Sequence, residues 1–182
     1  MNIRNNMNQG LRLKLIQCIN LLEPEFRNLN FTIDPYENSE RIEYERKSKP
    51  ELKEEEYEQI LNGQNTVGGL LFGSKKQIKL FIFNYKELDT NPNEILGLVG
   101  TLYHEIRHAW QHENNKFQDE EEINSIDGNL EMYFGGEAEK DAYKFQLIEM
   151  QKHANEILEI FGVNARVHNY TLKPEIMKFI DL

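Results

Sequence analysis

The chain carries a single cysteine, Cys18. An intramolecular disulfide framework is therefore excluded, as are zinc or iron–sulfur sites built from cysteines alone. No apolar run approaches the roughly 18 residues of a membrane-spanning helix, so no membrane span is expected. Positive charge is scarce: 21 Lys and Arg stand against 31 Asp and Glu, for a net charge of −10. A duplex-binding module carries the opposite balance, so nucleic acid is not an expected partner. The apolar part of the first residues is broken by Gln17 and Asn20, so no targeting segment is expected and the location reads as cytoplasmic.

What is present suffices for a packed interior. Of 182 residues, 39% are hydrophobic and 10% aromatic. A chain of this size can bury a core without disulfides, and one domain over 1–182 is expected. Its centre lies at about 65–150, with an N-terminal helical extension and a short helical tail after Pro174.

Residues 11–28 have apolar positions at helical spacing, and 29–34 alternate like a short strand leading to Pro35. Residues 37–58 are dense in charge of both signs and read as solvated and dispensable, with a helix from Pro50 to Leu61. A hairpin follows: strands at 68–73 and 77–85 flank a Gly73-Ser74-Lys75-Lys76 turn. Ile78, Leu80 and Ile82 share one face of the second strand; Lys79, Phe81 and Phe83 share the other. The strongest helix spans about 94–114, capped by Asn93 or Thr90, with a stripe of Ile95, Leu98, Val99, Leu102, Ile106 and Trp110. An acidic loop with Asp119-Glu120-Glu121-Glu122 separates it from a second long helix, which starts near 129 or 136 and ends near 160.

Inside the first strong helix stands His104-Glu105-Ile106-Arg107-His108. Histidines at i and i+4 lie one turn apart on one helical face, so both imidazoles can reach one metal ion. The glutamate between them can take the proton of a water that the metal activates. A catalytic zinc needs a third protein ligand. Glu137 and Asp141 lie about thirty residues on, again at i and i+4. Glu137 can be that ligand, and Asp141 can accept a hydrogen bond from a ligating histidine. Glu139 is equally acidic but points to the opposite side of the helix, and Asp141 shares a face with Glu137. His112 lies about 12 Å from His104 along a helix axis, too far to share one zinc, and reads as surface. Arg107 reads as a rim salt bridge, Tyr133 and Tyr143 as packing or as groups that polarise a carbonyl, and Cys18 as a small buried hydrophobe.

The string from His104 to Gln111, followed by Glu-x-x-x-Asp-Ala-x-x-Phe at 137–145, resembles zinc metallopeptidases of the gluzincin type. It is most similar to small single-domain members such as the minigluzincins and the ImmA/IrrE-like peptidase domains. The resemblance covers about 65–150. It implies one zinc ion held by His104, His108 and Glu137, Glu105 as general base, and a peptide or protein substrate. It also implies a strand antiparallel to bound peptide just upstream of the zinc-binding helix, a place that Gln77–Tyr85 occupies. The expected fold is α+β: a small, mostly antiparallel sheet on two zinc-bearing helices, zincin-like, with the N-terminal helix behind. The alternative is a metal-binding regulatory or partner-binding protein whose protease site is latent or restricted to one partner.

Overall fold

The computed structural model describes residues 1–62, 67–118 and 130–180. Among these residues it has an α+β architecture with a four-stranded sheet of order β1-β2-β4-β3 and eight α-helices. The strands are β1 (Asn2–Ile3), β2 (Thr32–Tyr36), β3 (Gly69–Phe72) and β4 (Gln77–Phe81). The expected hairpin is present as β3–β4, but the sheet is mixed, not mostly antiparallel. β1 pairs β2 and β2 pairs β4 in parallel, and only β3 and β4 run antiparallel. The parallel pairs join segments distant in sequence, which a reading of local patterns does not anticipate. β2 continues past the expected stop at Pro35. Pro35 is tolerated because β1 already ends opposite Ile33, so no ladder bond there needs its missing N–H.

The helices are α1 (Gln9–Leu21), α2 (Pro24–Arg27), α3 (Glu40–Ser48), α4 (Glu54–Asn62), α5 (Pro92–Glu113), α6 (Leu130–Gly135), α7 (Glu137–Phe161) and α8 (Pro174–Met177). The helical stretch expected over 11–28 divides at Pro24, which forces Glu23 out of the helical region and then opens α2. In α5, Pro92 stands in the first turn and the Asn91 side chain accepts from the Asn93 N–H at 3.1 Å, so the cap is Asn91 and neither Thr90 nor Asn93. Gly162 ends α7 in the left-handed conformation, at φ +79°.

Helices α1, α5 and α7 bury their apolar faces together and against one face of the sheet. Tyr103 on α5 donates to the Cys18 carbonyl of α1 at 2.7 Å, in the buried centre. Cys18 is buried, and burial pushes its thiol up to about 12, as expected of a small hydrophobe.

The opposite sheet face corrects the view of 37–58 as dispensable. Ile42, Tyr57 and Ile60 from α3 and α4 form a second buried cluster with Tyr36 and Phe81. Lys79, 1% exposed on β4, is ion-paired with Glu45 and with Glu51, the latter at 3.0 Å. An ammonium left there unpaired would cost several kcal/mol, on the order of the buried-ion penalty, so the charged segment neutralises the sheet's buried lysine.

Two further expectations change. Strand β4 is paired on both edges, by β2 and by β3, so it offers no free edge. The sheet edge beside α5 belongs to β3, which among the described residues pairs only with β4. The acidic stretch 119–122 lies outside the described residues. Among the described residues, no helix is long and apolar enough to cross a membrane.

Candidate metal centre

Helices α5 and α7 pack along their lengths, and α5 also lies against β3. Its cleft-side face carries, in order, Gly97, Thr101, His104, Glu105, His108 and Gln111. A cleft of about 1340 Å³ follows this face, between β3 on one side and α7 with the C-terminal segment on the other. Gly69 allows the approach of β3, because a Cβ there would lie 2.6 Å from Glu105 Cγ.

The two imidazoles face each other as the helical spacing requires, with His104 Nε2 and His108 Nε2 3.0 Å apart. The third member is Glu139. Its Oε2 lies 3.3 Å from His104 Nε2 and its Oε1 3.2 Å from His108 Nε2. One ligand atom from each of the three residues falls within 4.8 Å of the others. This corrects the assignment of Glu137. That side chain is 70% exposed and pairs with Lys140 at 2.9 Å. The reason lies further along α7. Ala142, Gln146 and Met150 are buried, and counting back by helical spacing along this stripe reaches 139. Lys144 and Ile148 are exposed, and counting back along theirs reaches 137.

Asp141 does not touch an imidazole. It grips Arg107 through two hydrogen bonds, at 2.7 and 2.9 Å, and accepts from Gln111 Nε2 at 2.7 Å. Gln111 makes the link that Asp141 was expected to make. Its Nε2 also donates to the Ala138 carbonyl at 2.9 Å, and its Oε1 lies 2.8 Å from His108 Nδ1. Sequence reasoning did not single out Gln111. The available signal was an amide three residues after His108, on the same helical face. Arg107 forms the expected salt bridge and also stacks over Trp110, 4.1 Å from its ring centre. His112 is exposed, packs over Gly73 and stays outside the cluster.

Two tyrosines close the side of the site. The Tyr143 ring lies 4.3 Å from that of His104. The Tyr133 hydroxyl lies beside Glu139 and Tyr143.

Electrostatics follow from burial and from these neighbours. Burial alone would lower His108, but the Glu139 carboxylate overrides it and raises His108 to about 9. Burial would raise Glu139, yet the two imidazoles hold its carboxyl far below the usual range. Glu105 is pushed up, chiefly by burial. Within the cluster, two buried atoms have no hydrogen-bond partner among the described residues, His104 Nδ1 and Glu139 Oε2. The second lies 3.3 Å from His104 Nε2. Two imidazole nitrogens and a carboxylate oxygen converging on one point suit a divalent cation such as zinc.

The chain matches no protein-family model, and comparison with curated proteins and with solved structures gave no match, so the reading of this centre rests on its own residues.

Proposed function

We propose that the chain is a zinc-dependent peptidase of zincin-like architecture, similar to the gluzincin type, with His104, His108 and Glu139 as ligands and Glu105 as general base. One observation carries the reading: two facing imidazole nitrogens 3.0 Å apart, with the Glu139 oxygens 3.2 and 3.3 Å from them. Zinc held there would supply a Lewis acid that polarises a carbonyl and makes a nucleophile of water near neutral pH.

The chain's own residues supply the rest. Both donors of the Gln111 amide are spent on Asp141 and Ala138, so its oxygen receives His108 Nδ1–H and leaves Nε2 bare for coordination. Glu105, buried beside the pair, has its carboxyl raised toward the range in which a base works at neutral pH. It would take the proton of the attacking water and pass it to the leaving amine. The outer edge of β3 would hold an extended peptide by backbone hydrogen bonds, a mode that tolerates many side chains. Gly68 lies against Thr101, Gly69 against Glu105 and Gly73 against His112, so β3 runs in the same direction as α5. A peptide antiparallel to β3 would therefore place the residues after its scissile bond toward Gly97.

A second reading, a metal-holding protein that acts on one partner only, draws on the C-terminal segment. Tyr170, Leu172 and Ile176 wall the cleft. Asn155 and Gln151 of α7 fasten this segment, through Val167 and through the Tyr170 carbonyl. Metal analysis followed by digestion of a mixed peptide library separates the two. General cleavage, abolished in Glu105→Gln, supports the peptidase reading. A protein with one zinc that leaves every peptide intact supports the second, and a protein that takes up no metal refutes both.

A further inference from the structure

The Gly97 end of the cleft carries hydrogen-bonding groups that the proposed chemistry does not use. Tyr85 and Thr101 share a hydrogen bond at 2.6 Å, directly over Gly68, where a Cβ would lie 2.1 Å from the Tyr85 hydroxyl. Opposite them, Gln146 Nε2 donates to the Tyr170 hydroxyl at 3.2 Å, over Gly100, where a Cβ would lie 2.7 Å from that nitrogen. Gly68 thus lets the chain entering β3 close over one polar pair, and Gly100 lets the other press onto α5.

None of these groups is charged. Burial pushes the Tyr85 hydroxyl up to about 12 and raises Tyr170 as well, so both keep their protons. Each pair also leaves hydrogen-bonding capacity unspent. One proton joins Tyr85 and Thr101, and among the described residues the other hydroxyl proton of that pair has no acceptor. Tyr170 accepts from Gln146, so its own proton is unspent among the described residues, as is the second amide hydrogen of Gln146. Gln146 is only 8% exposed, so its amide is largely withheld from bulk water.

We propose that this end of the cleft is a subsite for a neutral hydrogen-bonding side chain, asparagine or glutamine foremost, borne by the residue after the scissile bond. The inference rests on the peptidase reading and names its substrate preference. A side-chain amide offers both an acceptor to the free hydroxyl protons and donors to the lone pairs. An apolar side chain would leave those partially buried groups unanswered. A charged one would lose its hydration to a pocket with no counter-charge among these four residues.

The test uses the zinc-loaded full-length protein on a mixed peptide library, with cut sites read by mass spectrometry. Asn and Gln, followed by Ser and Thr, should exceed Leu, Asp, Glu, Lys and Arg after the cut by about 10-fold or more. Gln146→Glu should move the preference to Lys and Arg, and Thr101→Val should narrow the Asn-to-Leu ratio by about 10-fold. The same order should appear in calorimetric binding of peptides with Asn, Leu or Lys at that position to Glu105→Gln protein, a readout that needs no turnover. Cleavage with an apolar, charged or flat profile after the cut, a preference confined to residues before it, or profiles unmoved in both variants would overturn the subsite alone. A zinc-loaded protein that cleaves nothing would overturn the peptidase reading, and this inference with it.

Discussion

Gln111 Oε1 lies 2.8 Å from His108 Nδ1, and the same amide group gives its hydrogens to Asp141 and to the Ala138 carbonyl. The side chain has one orientation that satisfies all three contacts. That orientation favours a proton on Nδ1 of His108 and ties this imidazole of α5 to the first turns of α7. Gln111→Leu should lower zinc affinity about 10- to 100-fold, the usual cost of losing an outer partner of a ligating histidine. Competition with a chromogenic chelator measures it, and an unchanged affinity would mean that Gln111 only packs.

Asp141 acts one step further out. Its carboxylate is about a third exposed, and its strongest links are to Arg107 and Gln111. Asp141→Asn should cost stability on the order of 1 kcal/mol or less, as a partly exposed pair does, and weaken zinc less than Gln111→Leu. Chemical denaturation and the same chelator competition check both. A larger loss of zinc than in the Gln111 variant would put Asp141 back against the imidazole.

Glu139 and Glu137 separate cleanly. Glu139→Gln should weaken zinc by more than about 100-fold, beyond what outer residues cause, while Glu137→Gln should bind zinc like the native protein. The reverse pattern would restore Glu137 as ligand.

The metal-free protein should show the proton that zinc displaces. Without metal, His108 is raised from 6.5 to about 9 beside Glu139, so it holds its proton at pH 7.5. Zinc uptake at that pH should release about one proton, measurable by calorimetry in buffers of different ionisation enthalpy. The raised value also stabilises the metal-free fold. A group whose pKa rises on folding gives its full contribution below the unfolded pKa, here near 6.5, and loses it as pH climbs through 9. Denaturant midpoints of the metal-free protein should therefore fall between pH 6.5 and 9, and less so in His108→Gln.

The His pair could be read from the sequence because everything it needs is local. A capped helix with an apolar stripe fixes the register, and the register alone turns His104 and His108 to one side. The β3–β4 hairpin was readable for the same reason. The third member of the cluster required knowing which face of α7 meets α5. Asp141 pulled the choice toward Glu137, whereas the buried stripe through Ala142, Gln146 and Met150 belongs with Glu139. The parallel pairing of β2 with β4 joins strands separated by α3 and α4, so local alternation carried no trace of it. The packing role of 37–58 was hidden likewise, since the buried Lys79 that calls for Glu45 and Glu51 lies on a later strand.

The central claim is that His104, His108 and Glu139 hold a metal while Glu105 moves a proton. Zinc content and peptide hydrolysis, measured together on the native protein, Glu105→Gln and His108→Ala, test it most directly. Glu105→Gln keeps the side-chain shape but cannot accept a proton. It should retain about one zinc and lose hydrolysis by about 100-fold or more, whereas His108→Ala should lose the zinc itself. Loss of zinc in Glu105→Gln as complete as in His108→Ala, or full zinc in both, would contradict the account.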